Sequence, residues 1–84
     1  MDKISINILY FAFVKDKTGV EFDLLDLPSD TSVKSLINLI LEKHPALSNI
    51  IDIIQISVNY KIVDVDTILK DGDEIAFLPP ISGG

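Results

Sequence analysis

The sequence predicts an α+β fold in which a mixed sheet carries one main helix on one face. Two patterns indicate it. Residues 3–10 and 54–59 alternate apolar with polar side chains, which is the period of a half-buried strand. Between them, apolar residues from Val33 to Leu41 recur at spacings of three and four, the period of an amphipathic helix. Strands on both sides of a single helix favour a sheet layer covered by that helix.

The N-terminal third is expected to contain two strands. The first covers residues 3–10, and its even-numbered residues should face the core: Ile4, Ile6, Ile8 and Tyr10. Residues 15–19 are polar and end in glycine, so we interpret them as a hairpin loop. Residues 20–27 then alternate Phe22 and Leu24 with acidic residues. This pattern predicts a second strand that completes a hairpin with the first.

The helix has start and stop signals. Either Thr31 or Ser32 can cap its N-terminus, because the apolar periodicity begins directly after them. The helix should end near His44, since the residue before Pro45 is disfavoured in the α region. A histidine at a helix C-terminus suits the macrodipole, so we assign His44 no catalytic role.

The second half of the chain is expected to contain short elements. Residues 47–54 fit a short helical turn and an irregular apolar loop equally well, and this choice stays open. Residues 54–59 predict a strand, followed by a turn at residues 59–61 and a short strand around Ile62. A further helical turn is expected at residues 67–70.

The C-terminal stretch carries the functional signal. Residues 74–78 form a mostly apolar run typical of a central strand, and Pro79 and Pro80 then end it because neither has an N–H for a sheet. Gly83 and Gly84 lack Cβ atoms, so this end can thread a narrow channel and present a terminal carboxylate. The predicted division is a domain over residues 1–78 and an extended tail over residues 79–84.

Composition restricts the chemistry of the chain. Its 84 residues make one small domain, and without cysteine it has no disulfide, thiolate metal site or nucleophilic thiol. With seven lysines, no arginine and 13 acidic residues, the net charge of −6 argues against nucleic acid and favours a basic protein surface as partner. No segment resembles a membrane span or signal peptide, so we expect a cytoplasmic protein. No calcium loop or phosphate-binding glycine motif is present, so we predict no metal site and no bound ATP.

Strand alternation also predicts an exposed apolar patch. If Ile8 and Tyr10 face the core, Leu9 and Phe11 face the uncovered side of the sheet. In the last strand the same alternation places Ala76 and Leu78 on one face and Ile75 and Phe77 on the other. A partner-facing Phe11 or Leu78 should be exposed to solvent in the isolated chain, whereas ordinary core packing would bury it.

Residues 71–84 closely resemble the C-terminus of the small, sulfur-carrying subunit of molybdopterin synthase, a ubiquitin-like β-grasp family. Residues 8–19 are similar to the family's first strand and following loop, and Val58-Asn59 to its third-strand signature. One departure is Lys15-Asp16 where the family often has Arg-Glu, which keeps the charges without the bidentate geometry of arginine. The resemblance spans nearly the whole chain and implies a β-grasp fold.

The resemblance also implies a function. Gly84 would be adenylated by an ATP-dependent activating enzyme and converted to a thiocarboxylate that supplies sulfur for the dithiolene of the molybdenum cofactor. The chain would be non-catalytic on its own, would bind no cofactor, and would form a heterotetramer with the catalytic large subunit. The residues that would contact that subunit on the sheet are Phe11, Ile62 and Leu78. The tail residues that would thread into its site are Pro79, Pro80, Ile81, Ser82 and Gly83.

Three other functions stay open at this point. A sulfur carrier for thiazole synthesis shares the glycine pair, although Pro79-Pro80 and the strand that contains Phe11 favour the molybdopterin pathway. A ubiquitin-like modifier would form isopeptide bonds through the same terminus. A plain β-grasp binding module would not need the tail.

Overall fold

Five strands form one mixed sheet in this computed structural model, which describes residues 2–80. The strands are β1 (Lys3–Tyr10), β2 (Phe22–Pro28), β3 (Gln55–Val58), β4 (Lys61–Ile62) and β5 (Glu74–Leu78). The α-helices are α1 (Ala12–Thr18) and α2 (Val33–Lys43), and two short 3₁₀ helices cover Pro45–Asn49 and Ile51–Ile53.

The order of strands across the sheet is β2-β1-β5-β3-β4. β5 runs parallel to β1 and antiparallel to β3, so the last strand of the chain is the central strand of the sheet. The outer pairs, β1 with β2 and β3 with β4, are antiparallel. This arrangement, with α2 packed on one face, confirms the predicted α+β β-grasp fold.

Helix α2 begins and ends where the sequence predicts. The Ser32 hydroxyl caps it by accepting a hydrogen bond from the Ser35 backbone N–H at 3.1 Å. At the other end, the His44 N–H donates to the Ile40 carbonyl at 2.7 Å, and Pro45 follows. Among residues 2–80, no helix has the length and apolar character needed to cross a membrane.

The core lies between α2 and the sheet face that it covers. All four predicted β1 residues are buried, and Leu36 and Ile40 of α2 pack against them. Val33 of α2 is also fully buried, and the fully buried residues of the other elements in this core are Val14, Leu47, Ile75 and Phe77.

The predicted hairpin loop at residues 15–19 is wrong, because this segment belongs to helix α1. The polar residues form the exposed side of a short helix whose Val14 is fully buried. Gly19 ends α1 with φ of 77°, and its N–H donates to the Lys15 carbonyl at 2.8 Å. β1 and β2 therefore pair as predicted, but a helix connects them.

Two less regular segments, residues 47–54 and 67–70, adopt different conformations. Residues 47–54, left open above, form the two 3₁₀ helices, which hold Leu47 in the core. The predicted helical turn at residues 67–70 is wrong. This segment is extended, because the Thr67 carbonyl accepts from the Val33 N–H at 2.9 Å and so satisfies a free donor at the start of α2.

Candidate functional site

The face of the sheet opposite α2 is largely apolar. The strand register aligns one row of side chains across all five strands: Phe22, Leu9, Ala76, Ser57 and Ile62. Leu78 continues this surface beyond Ala76 along β5, and Phe11 continues it directly after the end of β1, where its N–H donates to the Phe77 carbonyl at 3.3 Å. No other element covers these residues in the described part of the chain, so we call them the outer face.

The three residues predicted to contact a partner lie together on the outer face. Phe11 exposes 44% of its surface and Ile62 exposes 55%, whereas Leu78 is half-buried. All three line one hollow with a volume of about 260 Å³. The structure thus gathers one residue directly after β1 with one each from β4 and β5, and their role in binding stays a prediction.

The hollow exists because its centre contains small side chains. Ala76 and Ser57 are paired neighbours on β5 and β3, and both line the hollow. The larger Leu9 and Ile62 stand on either side of them in the same row. The result is a concave apolar site with a small-residue floor at the middle of the sheet.

Glu74 and Tyr60 form the polar end of the hollow. A tight turn places Tyr60 there, since Asn59 and Tyr60 both have positive φ, of 52° and 73°. The Asn59 side chain fixes this turn: its amide donates to Asp73 Oδ1 at 2.8 Å, and its oxygen accepts from the Glu74 N–H at 3.0 Å. Asparagine suits the position because it tolerates a left-handed backbone and supplies both a donor and an acceptor.

The tail leaves the sheet at the edge of this hollow. Leu78, the last residue of β5, lines the hollow and pairs with Gln55 of β3. Pro79 and Pro80 follow it outside any strand, as predicted. The remaining tail residues predicted to act in the site lie outside the described residues: Ile81, Ser82, Gly83 and Gly84.

A second polar cluster lies on the covered side of the sheet, around Asp23. Its Oδ2 accepts hydrogen bonds from the Tyr10 hydroxyl at 2.7 Å and from His44 Nε2 at 2.9 Å. Lys43 Nζ lies 3.0 Å from Oδ1. These contacts join the end of α2 to β1 and β2, which gives His44 a structural role.

The same contacts change two pKa values. Burial acts to raise the pKa of Asp23, but the hydrogen bonds from His44, Tyr10 and Lys43 outweigh it, and the net effect lowers that pKa. Burial, together with the neighbouring Asp23 carboxylate, raises the pKa of Tyr10 far above its usual value. Among residues 2–80, no three His, Cys, Asp or Glu side chains are grouped so that they could hold a metal ion.

Four further residues on this side of the sheet were not predicted as partner contacts from the sequence: Phe22, Leu24, Glu74 and Tyr60. Phe22 and Leu24 point away from the core and expose 53% and 69% of their surfaces. Glu74 has the same strand parity as Ala76 and Leu78, which could have indicated its position. Tyr60 gives a weaker signal, namely an aromatic residue within a turn.

Comparisons with known proteins agree on the family. Residues 8–84 match the ThiS family. The chain is 36% identical to the molybdopterin synthase sulfur carrier subunit of Mycobacterium tuberculosis, with 96% of this chain and 99% of that protein covered.

Solved structures give the same fold. The small archaeal modifier protein 1 of Methanosarcina acetivorans has a TM-score of 0.82 at 25% identity, with both chains fully covered (100%). A complex of subunits 1 and 2 of the molybdopterin-converting factor from Helicobacter pylori contains a chain with a TM-score of 0.70 at 28% identity, covering 96% of this chain and 100% of that one. The match over residues 8–84 establishes that this chain belongs to the ThiS family.

Proposed function

We propose that this chain is the sulfur carrier of a molybdopterin synthase, with Gly84 as its C-terminal residue. One observation carries the proposal: the central strand β5 runs into the tail directly beside an apolar hollow. A protein bound to the outer face would therefore meet the chain as it emerges after Pro80. The identity of 36% with a sulfur carrier subunit supports the same function.

The proposed chemistry takes place at the Gly84 carboxylate. A carboxylate oxygen attacks the α-phosphorus of ATP within an activating enzyme and releases pyrophosphate. A sulfur nucleophile then displaces AMP and leaves a thiocarboxylate. The thiocarboxylate sulfur then attacks a carbon of the pterin precursor and displaces an oxygen leaving group from it. Water finally cleaves the acyl–sulfur bond and restores the carboxylate. The chain is thus a stoichiometric sulfur donor. Its expected location is the cytoplasm.

The catalytic groups are proposed to come from the partner. This chain has no cysteine and no arginine, and its single histidine is held against Asp23 at 2.9 Å. Its net charge of −6 would repel an anionic pterin. We therefore propose that a large subunit binds the outer face through Phe11, Ile62 and Leu78, receives Pro79 to Gly84 in its active site, and assembles with it as a heterotetramer.

The first experiment tests the terminus. One residue added after Gly84 should abolish ATP–pyrophosphate exchange with the cognate activating enzyme, because the carboxylate then lies one residue too far along the chain. Far-UV circular dichroism should show an unchanged fold. Exchange at the parental rate by the extended protein would exclude Gly84 as the adenylated residue.

The second experiment counts sulfur. Thiocarboxylated protein, the large subunit and the pterin precursor are mixed without ATP or activating enzyme. A dithiolene holds two sulfur atoms, so the yield should reach a plateau near one product per two chains consumed. Intact mass should then show an unmodified Gly84 carboxylate. Continued turnover from another sulfur source would contradict the donor role.

A modifier function is the second candidate, because the fold is shared with the small archaeal modifier protein 1. Both functions begin with adenylation of the terminus, so the exchange assay does not separate them. Denaturing electrophoresis of cell extracts does, since only a modifier gives a ladder of covalent conjugates. A carrier for thiazole synthesis would instead deliver its sulfur to a thiazole precursor and not to the pterin.

A further inference from the structure

The hollow on the outer face is shaped for a single protruding side chain. Its floor is Ala76 with Ser57, and the larger side chains of Leu9 and Ile62 form its walls within the same row of the sheet. A flat partner surface would leave the space above Ala76 unfilled, and unfilled space loses dispersion contacts. A partner that binds this face therefore gains from a side chain that enters the hollow.

The polar end of the hollow adds a charge requirement. Glu74 and Tyr60 both line the hollow, and the Glu74 carboxylate raises the pKa of the nearby Tyr60 hydroxyl. The ion pairs found within residues 2–80 involve Glu21 and Asp23 and leave Glu74 without a cation. A partner that covered Glu74 with apolar groups alone would desolvate an uncompensated carboxylate and lose affinity.

Arginine satisfies both requirements. Its three methylene groups match the apolar walls, and its guanidinium can donate to a carboxylate while it stacks on an aromatic ring. Tyr60 offers such a ring, since 89% of its surface is exposed. Lysine fits less well because its ammonium is strongly hydrated and does not stack in this way. A second copy of this chain cannot supply the group, because the sequence contains no arginine.

We propose that an arginine of the large subunit enters the hollow, with its methylene stem over Ala76 and its guanidinium between Glu74 and Tyr60. This inference rests on the proposed function, since it identifies the chemistry of the partner at the same surface. It adds a polar contact at the Glu74 end of an otherwise largely apolar hollow.

The test is calorimetric titration of the cognate large subunit with parent and variant chains. Glu74→Gln keeps the shape of the side chain and removes its charge, so the dissociation constant should rise about tenfold, equivalent to about 1.4 kcal/mol. The dissociation constant of this variant should also depend less on the salt concentration than that of the parent. Ala76→Leu, which fills the hollow, should weaken binding as well. Glu42→Gln is the matched control, because Glu42 is an exposed glutamate of α2, on the opposite side of the sheet from the hollow, and it should bind like the parent.

A double-mutant cycle identifies the arginine. Each arginine of the large subunit is replaced singly by lysine and titrated with the parent and with Glu74→Gln. One replacement should weaken binding of the parent about tenfold and have little further effect on Glu74→Gln. Circular dichroism checks that each variant is folded.

Three results would overturn the inference. If Glu74→Gln binds as tightly as the parent, or if no arginine couples to Glu74, the polar contact is absent. If one of these two results is found but Phe11→Asp abolishes binding, the partner still binds the outer face and the proposed function stands, but without an arginine in the hollow. If the parent itself does not bind the large subunit, the proposed function and the inference both fail.

Discussion

Replacement of Asp23 by alanine should strongly destabilise the domain. The carboxylate, 11% exposed, accepts from the Tyr10 hydroxyl at 2.7 Å and from His44 Nε2 at 2.9 Å. Asp23→Ala leaves both donors buried without a partner, at a cost of about 1–3 kcal/mol each. Lys43 is half-exposed, so its lost ion pair adds at most about 1 kcal/mol. We expect the free energy of unfolding to fall by about 2–7 kcal/mol.

The pH dependence gives a second signature of the same cluster. Hydrogen bonds hold the pKa of Asp23 in the folded state below its usual value, which is about 3.9 in unfolded chains. Its carboxylate therefore stabilises the fold fully above about pH 4, and this contribution is lost as the pH falls through the lower folded-state pKa. The stability difference between the parent and Asp23→Asn should be constant near pH 7 and shrink in acid.

Urea titrations followed by far-UV circular dichroism measure both effects. Asp26 provides the control on the same strand, because its carboxylate accepts only an exposed hydrogen bond from the Ser5 hydroxyl at 2.7 Å. Asp26→Ala should change the free energy of unfolding by about 0.5 kcal/mol or less. If Asp23→Ala is no more destabilising than Asp26→Ala, the cluster does not hold α2 to the sheet.

Substitutions at three further places, two of them with a comparison variant, test other parts of the fold. Ile40→Val deletes a fully buried methyl group of α2 and should cost about 0.5–1.5 kcal/mol in urea unfolding, whereas Leu39→Ala on the exposed side should cost less. Ser32→Ala should lower stability by about 1 kcal/mol through loss of the N-cap, and Ser32→Gly by only a few tenths, as thermal unfolding can verify. Asn59→Gly keeps the positive φ but loses the side-chain hydrogen bonds to Asp73 and Glu74, so the free energy of unfolding should fall by about 1–3 kcal/mol. A decrease no larger than that of a surface mutation would show that these hydrogen bonds are dispensable.

The regular elements could be predicted because local pattern and tertiary burial agree. Alternation in β1 and the three-and-four spacing of α2 each correspond to a face that packs in the core. Helix α1 could not be recognised in this way, since its seven residues bury fully only Val14 and rely on the left-handed Gly19 for an end. Residues 67–70 are extended because they bond to the start of α2, a contact between distant segments that local sequence does not encode.

The site was predictable in part for the same reason. Phe11 and Leu78 follow from alternation within their own strands, but the hollow depends on which strands are neighbours. Ala76 forms its floor only because β5 lies between β1 and β3. β5 pairs with β1 although nearly the whole chain separates the two strands in sequence. Tyr60 reaches the rim through a turn whose geometry is set by Asn59 and its bonds to the start of β5.

The central position of β5 has a mechanical consequence. Residues 74–77 are paired with β1 and residues 75–78 with β3, so neighbours hold this strand along both edges. Tension on the chain beyond Pro80 acts along the strand axis and across its backbone hydrogen bonds. Because both ladders would have to slide together, the load is shared among many bonds and does not open them one after another. A pull on this end of β5 therefore loads both ladders together and does not peel the domain apart.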